Sequence, residues 1–288
     1  MSDWYTEEHR GMTRLGLRVE ERLHDETTPY QRIEIYRTPF FGNLMTLDGL
    51  VMFTERDEFV YHEMLVHVPL CAHPDPKQVL VIGGGDCGCV REALRHPGVE
   101  RVVQCEIDQR VTELSREYFE WPAATLQDPR AEFLFADGVR YIEEHADSFD
   151  VIIIDSTDPI GPAVGLFTPD FYRATRRALR SGGICTAQTE SPHWDPRLVG
   201  DIQAAMREAF QYVDLYLGHI PTYPSGTWSW SFASQDRRWD EPFDRERADR
   251  IAADSRYYNA ELHRAAFALP NFVREAVEGG DPFARFER

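Results

Sequence analysis

QVLVIGGGDCGC at residues 78–89 and IIIDSTDPIGP at residues 152–162 decide how the rest of the chain is read. The first is an apolar run that breaks into three glycines, the pattern of a buried strand turning tightly into a helix. Glycine carries no Cβ and tolerates positive φ, so such a turn lets backbone approach a ligand closely. The second is another apolar run, ending in Asp155 and Asp158. In open α/β sheets ligands lie beyond the carboxyl ends of the strands. One loop therefore offers a cradle, and the other brings negative charge to the same rim.

Outward from these stretches, strand and helix signals alternate from Lys77 onward. Strands are predicted at 78–82, 101–106, 131–136, 150–154 and 184–188, mostly continuous apolar runs, as a sheet covered on both faces requires. Helices are predicted at 88–96, 109–119, 138–145, 168–180 and 196–209, with a closing hairpin at 211–217 and 227–233. This is a doubly wound, Rossmann-type α/β sheet. Residues 1–56 read differently, as a small β-rich domain. Leu15, Leu17 and Val19 alternate with polar or small residues, Ile33 and Ile35 flank Glu34, and Asp48-Gly49 between LMTL and LVMF is a hairpin signal. The expected division is 1–56 and 57–288. The second part opens with a helix from Asp57 to about His67, with Pro69 just beyond it. The charged tail from Asp236 ends in aromatic residues, Tyr257, Tyr258 and Phe267, that predict packing back onto the body.

Composition narrows the partners. Of 288 residues 42% are hydrophobic and 28% charged, and 31 Lys+Arg against 49 Asp+Glu leave a net charge of −18. Nucleic acid and anionic membrane are poor partners for such a surface; cationic ligands are favoured. Five cysteines, an odd number, fit a reducing cytoplasm better than a disulfide framework. The opening MSDWYTEEHRG has no apolar core and does not read as a signal peptide, and no apolar run approaches the ~18 residues that span a bilayer.

The polar residues at the strand ends suggest a nucleoside. Glu106 ends the second strand 23 residues after Gly83, and an acidic residue about 20 positions past a glycine-rich loop typically holds ribose hydroxyls. Asp137 ends the third strand, where its carboxylate serves as a helix N-cap, as an acceptor from an adenine amino group, or as both. A phosphate in the loop is disfavoured by Asp86: two like charges ~4 Å apart repel by about 4 kcal/mol at an effective dielectric near 20. A sulfonium nucleoside carries positive charge and no phosphate. Asp86 would further repel the carboxylate of S-adenosylmethionine but attract the lone amine of its decarboxylated form. Asp155, Asp158, Tyr61 and Tyr223 describe a pocket for an aliphatic amine, in which a carboxylate strips the ammonium proton to make a nucleophile.

These residues carry a family resemblance. LDGLVMFTERDEFVYHEML, VLVIGGGD, CEID, Asp137-Gly138, DSTDPIGPAVGLFTPDFY, AQTES, IPTYPSG and YYNAELHRAAFALPNF are similar to the polyamine aminopropyltransferases, closest to the bacterial spermidine synthases, over nearly the whole chain. The resemblance implies an N-terminal β domain on a methyltransferase-like α/β domain, and a homodimer or homotetramer. It implies transfer of an aminopropyl group from decarboxylated S-adenosylmethionine, a co-substrate, to putrescine or another amine, with no cofactor and no metal. It makes Asp155 the proton acceptor and Tyr61 the residue that orients the amine. Gln31, Glu106, Asp137, Gly138 and Pro162 would contact the methylthioadenosine part. His62, Asp86 and Asp158 would contact amine groups, Gln188 and Tyr223 further amine-side atoms, and Trp4 would cap the pocket.

The chain departs from the family pattern at Cys87 and Cys89 in the glycine loop, at Met52 in place of a common glutamine, and at Val164-Gly165 before Leu-Phe. Other readings compete. Cys87 and Cys89 lack the further ligands of a zinc site, and His62, Glu63 and His67 miss the spacing of a zinc protease motif. A small-amine methyltransferase would have to tolerate Asp86. A non-catalytic polyamine-binding protein would not need Asp155 and Tyr61 together.

Overall fold

The computed structural model describes residues 3–159, 161–241 and 243–286. β1 (Trp4–His9) and β2 (Thr13–Arg18) pair antiparallel, and β3 (Glu21–Thr27), β4 (Arg32–Thr38), β5 (Gly42–Leu47) and β6 (Leu50–Thr54) form a meander in that order. Asp48 and Gly49 turn between β5 and β6 with φ of 50° and 82°, the two positive values a tight two-residue hairpin needs. Ile33 and Ile35 are buried, but so is Glu34 between them, only 5% exposed. Arg22 and Arg32 pair with Glu34 at 3.4 and 2.9 Å, and the Tyr36 hydroxyl donates to it at 2.7 Å. The alternation predicts one wet face; the observed strand is covered on both, and Glu34 is tolerated there because it is paired.

α1 (Glu58–Ala72) follows, and every residue from Val60 to Ala72 is buried. It runs through Pro69, beyond the expected end near His67. Proline removes one helical hydrogen bond, but a helix held by packing on all sides outlasts that loss. The main sheet then builds from β7 (Gln78–Gly83), α2 (Gly88–Leu94), β8 (Arg101–Glu106), α3 (Gln109–Tyr118), α4 (Trp121–Thr125), β9 (Ala131–Phe135), α5 (Gly138–Glu143), β10 (Phe149–Asp155), α6 (Pro169–Ala178), β11 (Leu179–Gln188), α7 (Pro196–Arg207), β12 (Tyr212–His219) and β13 (Thr227–Ser234). Its order is β12-β13-β11-β10-β7-β8-β9, parallel from β11 to β9 with the β12–β13 hairpin antiparallel at one edge. The order reverses between β7 and β10, and at this switch point the two quoted stretches meet.

Two apolar layers cover the sheet. α1, α2 and the tail pack on one face, α5, α6 and α7 on the other. The tail, α8 (Arg245–Ala252), α9 (Ala260–Ala265) and α10 (Asn271–Val277), does pack back, burying Tyr258, Phe267 and Val273. Glu63 of α1 fastens it. Its carboxylate, 2% exposed, accepts from the backbone N–H groups of Arg256, Tyr257 and Tyr258 at 2.9, 2.8 and 2.8 Å. Glu63→Ala would strand these donors. Chemical denaturation should show a loss of about 3 kcal/mol or more, with Glu63→Gln intermediate; a loss under about 1 kcal/mol would mean water replaces the carboxylate.

Candidate active site

The glycine loop exists so that β7 and β10 can touch at their carboxyl ends. Gly83 and Gly84 have φ of 82° and 65°, and a Cβ on Gly83 would overlap the Asp155 carbonyl oxygen. The Gly84 N–H donates to that same oxygen at 2.9 Å. Gly88 opens α2 with no side chain because the His62 ring occupies the space a Cβ would take.

Asp155 sits where this loop meets α1. The Tyr61 hydroxyl donates to its Oδ1 at 2.7 Å and the Cys89 thiol to its Oδ2 at 3.1 Å. Burial first, and the nearby Asp86 charge second, push its proton affinity up to about 6, although His62, Tyr61 and Cys89 pull the other way. His62 lies between two carboxylates: Nδ1 is 2.6 Å from Glu58 and Nε2 is 3.1 Å from Asp86. Burial alone would make it neutral, but Asp86 and Glu58 outweigh that and raise it well above its usual range, so the ring is an imidazolium. Asp86 in turn is held below the usual carboxylate range: its burial is outweighed by His62 and by the Gly88 N–H at 2.6 Å. Two neighbouring carboxylates thus differ in character, Asp86 held in its ionised form and Asp155 poised to take a proton.

Two cavities adjoin at Tyr61 and Tyr223, and Asp155 lines the first of them. The larger, about 160 Å³, is lined by Gln31, Tyr61, His62, Gly83 to Asp86, Glu106, Asp137, Gly138 and Asp155 among others. Glu106 accepts from the Asp108 N–H at 2.8 Å, and burial pushes its proton affinity up to about 7. Gln31 donates to Asp108 at 3.1 Å, which turns its own oxygen free to accept. Asp137 is the N-cap of α5, accepting from the Val139 N–H at 2.9 Å, and it also lines the cavity. The smaller cavity, about 60 Å³, is lined by Glu7, Asp158, Gln188, Glu190, Trp194 and Trp228 among others, and the two share Met52, Tyr61, Ser156, Thr157 and Tyr223. One space suits a nucleoside. The other suits a cation.

Comparison with known proteins agrees with this layout. Residues 58–241 match the spermine/spermidine synthase domain and residues 3–55 the spermidine synthase tetramerisation domain. The chain belongs to the spermine/spermidine synthase family. It is 48% identical over 279 residues to a polyamine aminopropyltransferase of Thermoanaerobacter sp. (strain X514), covering 96% of this chain and 99% of the relative. A Clostridium beijerinckii protein of the same name is 44% identical over 286 residues, with 97% and 99% covered. A crystal structure of spermidine synthase in complex with the transition-state analogue AdoDATO superposes with a TM-score of 0.93 at 42% identity, covering 96% of this chain and 94% of the other. The spermidine synthase of Thermotoga maritima gives a TM-score of 0.91 at 42% identity and the same coverage. Membership makes this chain an aminopropyltransferase by class.

Against the expectations for this family, most named residues converge. Asp155, Gln31, Asp86, Glu106, Asp137, Gly138 and His62 line the first cavity; Asp158 and Gln188 the second; Tyr61 and Tyr223 both. Both nitrogens of His62 are engaged, by Glu58 and Asp86, which leaves neither for a direct contact with an amine. The Tyr223 hydroxyl donates to the Met52 carbonyl at 2.5 Å, leaving its oxygen to accept. Pro162 falls in a 3-10 segment, Gly161–Phe167, and its side chain lies outside the described residues. Trp4 caps nothing here: it is 55% exposed and lines neither cavity, because β1 turns its ring outward over Gly16. Cys87 also faces neither cavity. It caps α2 at φ 66°, a left-handed conformation that costs a non-glycine residue about 1 kcal/mol, which is the price of the missing glycine. His62, Cys89 and Asp155 place potential ligand atoms within 4.8 Å of one another, but the two ring nitrogens of His62 already pair with Glu58 and Asp86.

Sequence reasoning missed Glu7, Glu190 and Glu58. Glu190 is 7% exposed and its Oε1 has no hydrogen-bond partner among the described residues. Burial and the facing Asp158 raise it well above the carboxylate range. Glu7 is pushed up to about 7, by burial first. Glu190 stands two residues past Gln188 in AQTES, a signal that was available. Nothing in TEEH separates Glu7 from Glu8.

A raised acid stabilises the fold only while protonated. The unfavourable Asp155 charge is therefore absent at low pH and appears as pH rises from the unfolded value, near 3.8, through about 6. In thermal or chemical melts of the ligand-free protein, Asp155→Asn should be about 1–3 kcal/mol more stable than its parent at pH 8, the gap narrowing below about pH 6 and closing near pH 4. A gap that does not change with pH would mean Asp155 titrates normally.

Proposed function

We propose that this enzyme transfers the aminopropyl group of decarboxylated S-adenosylmethionine to putrescine, giving spermidine and methylthioadenosine. The observation that carries the reading is Asp155 lining a cavity that suits a nucleoside, with a second, acidic cavity beside it that shares Tyr61 and Tyr223. In the first, Glu106 takes ribose hydroxyls, Asp137 and Gly138 take the base, and Gln31 completes the wall. Asp86 takes the donor amine, and its charge selects against a donor that carries a carboxylate. In the second, Asp158 and Glu190 with Glu7 take the far ammonium of a diamine, while Tyr61 and Tyr223 flank the near one. The small volume between Trp194 and Trp228 favours a short diamine over a longer polyamine.

Asp155 accepts a proton from the near ammonium, and Tyr61 keeps its carboxylate aimed. The freed amine attacks the methylene beside the sulfonium. The C–N bond forms, the C–S bond breaks, and its electron pair leaves on sulfur as a neutral thioether. Positioning and one base suffice, because the cationic sulfur is already a good leaving group. A match over residues 3–55 to a tetramerisation domain supports a homo-oligomer. Five buried free thiols support a reducing compartment such as the cytoplasm, and among the described residues no helix is long and apolar enough to cross a membrane.

The test is to incubate the protein with S-adenosylmethionine or its decarboxylated form and a panel of amines, and to identify products by mass. Spermidine and methylthioadenosine from the decarboxylated donor and putrescine are expected; methylated amine would overturn the reading. The acid limb of kcat/KM should lie near pH 6, where Asp155 loses its proton. Asp155→Asn should lower kcat by about 10²–10⁴ while methylthioadenosine still binds. Glu190→Gln should raise KM for putrescine about tenfold or more, with kcat little changed. An unchanged KM would place the far ammonium elsewhere.

A further inference from the structure

Asp155 is held by two donors, and only Tyr61 belongs to the expected machinery. The other is Cys89, in the first turn of α2, fully buried, with its thiol 3.1 Å from Oδ2. Side chains of a helix lean toward its amino end, so a residue at this position of α2 points back at the end of β10. We propose that Cys89 is a positioning residue for the base: its thiol holds Oδ2 of Asp155 and sets how readily that carboxylate takes the substrate's proton. The proposal rests on the aminopropyl-transfer reading and adds a residue to it.

The choice of sulfur has a physical sense. A carboxylate with one oxygen tied to Tyr61 still rotates about its terminal torsion unless the second oxygen is held. A hydroxyl would hold it firmly and stabilise the anion, making a weaker base. A thiol is a weak donor, so it restrains orientation at little cost in basicity. An aliphatic side chain would give neither. The thiol must also stay protonated, since a thiolate beside a sulfonium would compete with the amine as a nucleophile. Burial, then Asp155 and Asp86, push Cys89 well above its usual range.

The surroundings that also bear on Asp155 stay constant when Cys89 changes. Tyr61 and His62 face it from α1, Asp86 from the glycine loop, Glu106 from the end of β8 and Tyr223 from the turn before β13. Cys89 itself is faced by Glu92 one turn along α2 and by Tyr216 of β12. Differences among Cys89 variants therefore report the Sγ–Oδ2 contact.

The experiment compares the parent with Cys89→Ala and Cys89→Ser, following kcat/KM for putrescine at saturating donor from pH 5 to 9. Losing the donor should move the acid limb up by about 0.5–1 pH unit in Cys89→Ala; the stronger hydroxyl donor should move it below the parent's position in Cys89→Ser. The order serine, cysteine, alanine is the signature, because a packing role would lower stability or kcat without ordering the limbs. Identical limbs, or limbs moved the same way by both substitutions, would overturn the proposal. The same affinity can be read without turnover. The stability gap between Asp155→Asn and its parent, followed against pH in each Cys89 background, should be larger at pH 8 and begin to narrow at a higher pH in the alanine background than in the serine one. If no aminopropyl product forms at all, the reaction reading fails and this second measurement still decides the role of Cys89. Should Cys89→Ala not fold, Cys89→Ser against the parent carries the comparison by either route.

Discussion

The structure depends on a helix that has no wet side. α1 is covered from Val60 to Ala72 by the sheet, α2 and the tail, so every polar group it carries must find a partner inside the protein. Asp57, at its start, accepts from the backbone N–H and hydroxyl of Thr222 at 3.1 and 2.7 Å, fixing the turn that carries Tyr223. Glu58 binds Arg91 and His62; Tyr61 binds Asp155; Glu63 binds the tail; His67 binds Glu92 and His96, each at 3.0 Å. Satisfying α1 builds the active site on one flank and fastens the C-terminal helices on another.

That same burial explains the chemistry. Acidic groups crowd around Asp155, and in water their repulsion would be screened. Inside the protein it is not, and the strain is divided unequally. Asp86 keeps its charge because His62 lies against it, and His62 stays charged because Glu58 supports it from behind. Asp155 has weaker donors and holds its proton more readily. Glu7 and Glu190 have little beyond backbone N–H donors and are raised as well. A protein that gathers uncompensated carboxylates gives up stability to do so, and a cation bound among them would restore it.

Much of this was legible along the chain. The glycine run, the strands to either side and the Asp-Gly hairpin are local patterns, and local sterics enforce them. Glu106, Asp137 and Asp155 were legible as well, because each ends a strand at the rim where ligands bind. The end of α1 and the burial of Glu34 were not. A proline after His67 stops a solvated helix but not one clamped by its surroundings, and a charged residue in an alternating strand is exposed unless its partners, here Arg32 and Tyr36 on its own strand and Arg22 on the next, fold over it.

The sequence by itself determined the order of elements, the family and the residues at the carboxyl ends of the strands, because these follow from periodicity and from short motifs that any neighbourhood would leave intact. Only the tertiary structure decided what each acid is for. Glu7 and Glu8 are adjacent and chemically identical, yet one faces a buried cavity beside Asp158 and the other faces solvent and Arg14. Cys89 is an ordinary core cysteine until α2 swings it against Asp155. Proton affinity depends on desolvation and on charges brought together from distant parts of the chain, and no local pattern records that.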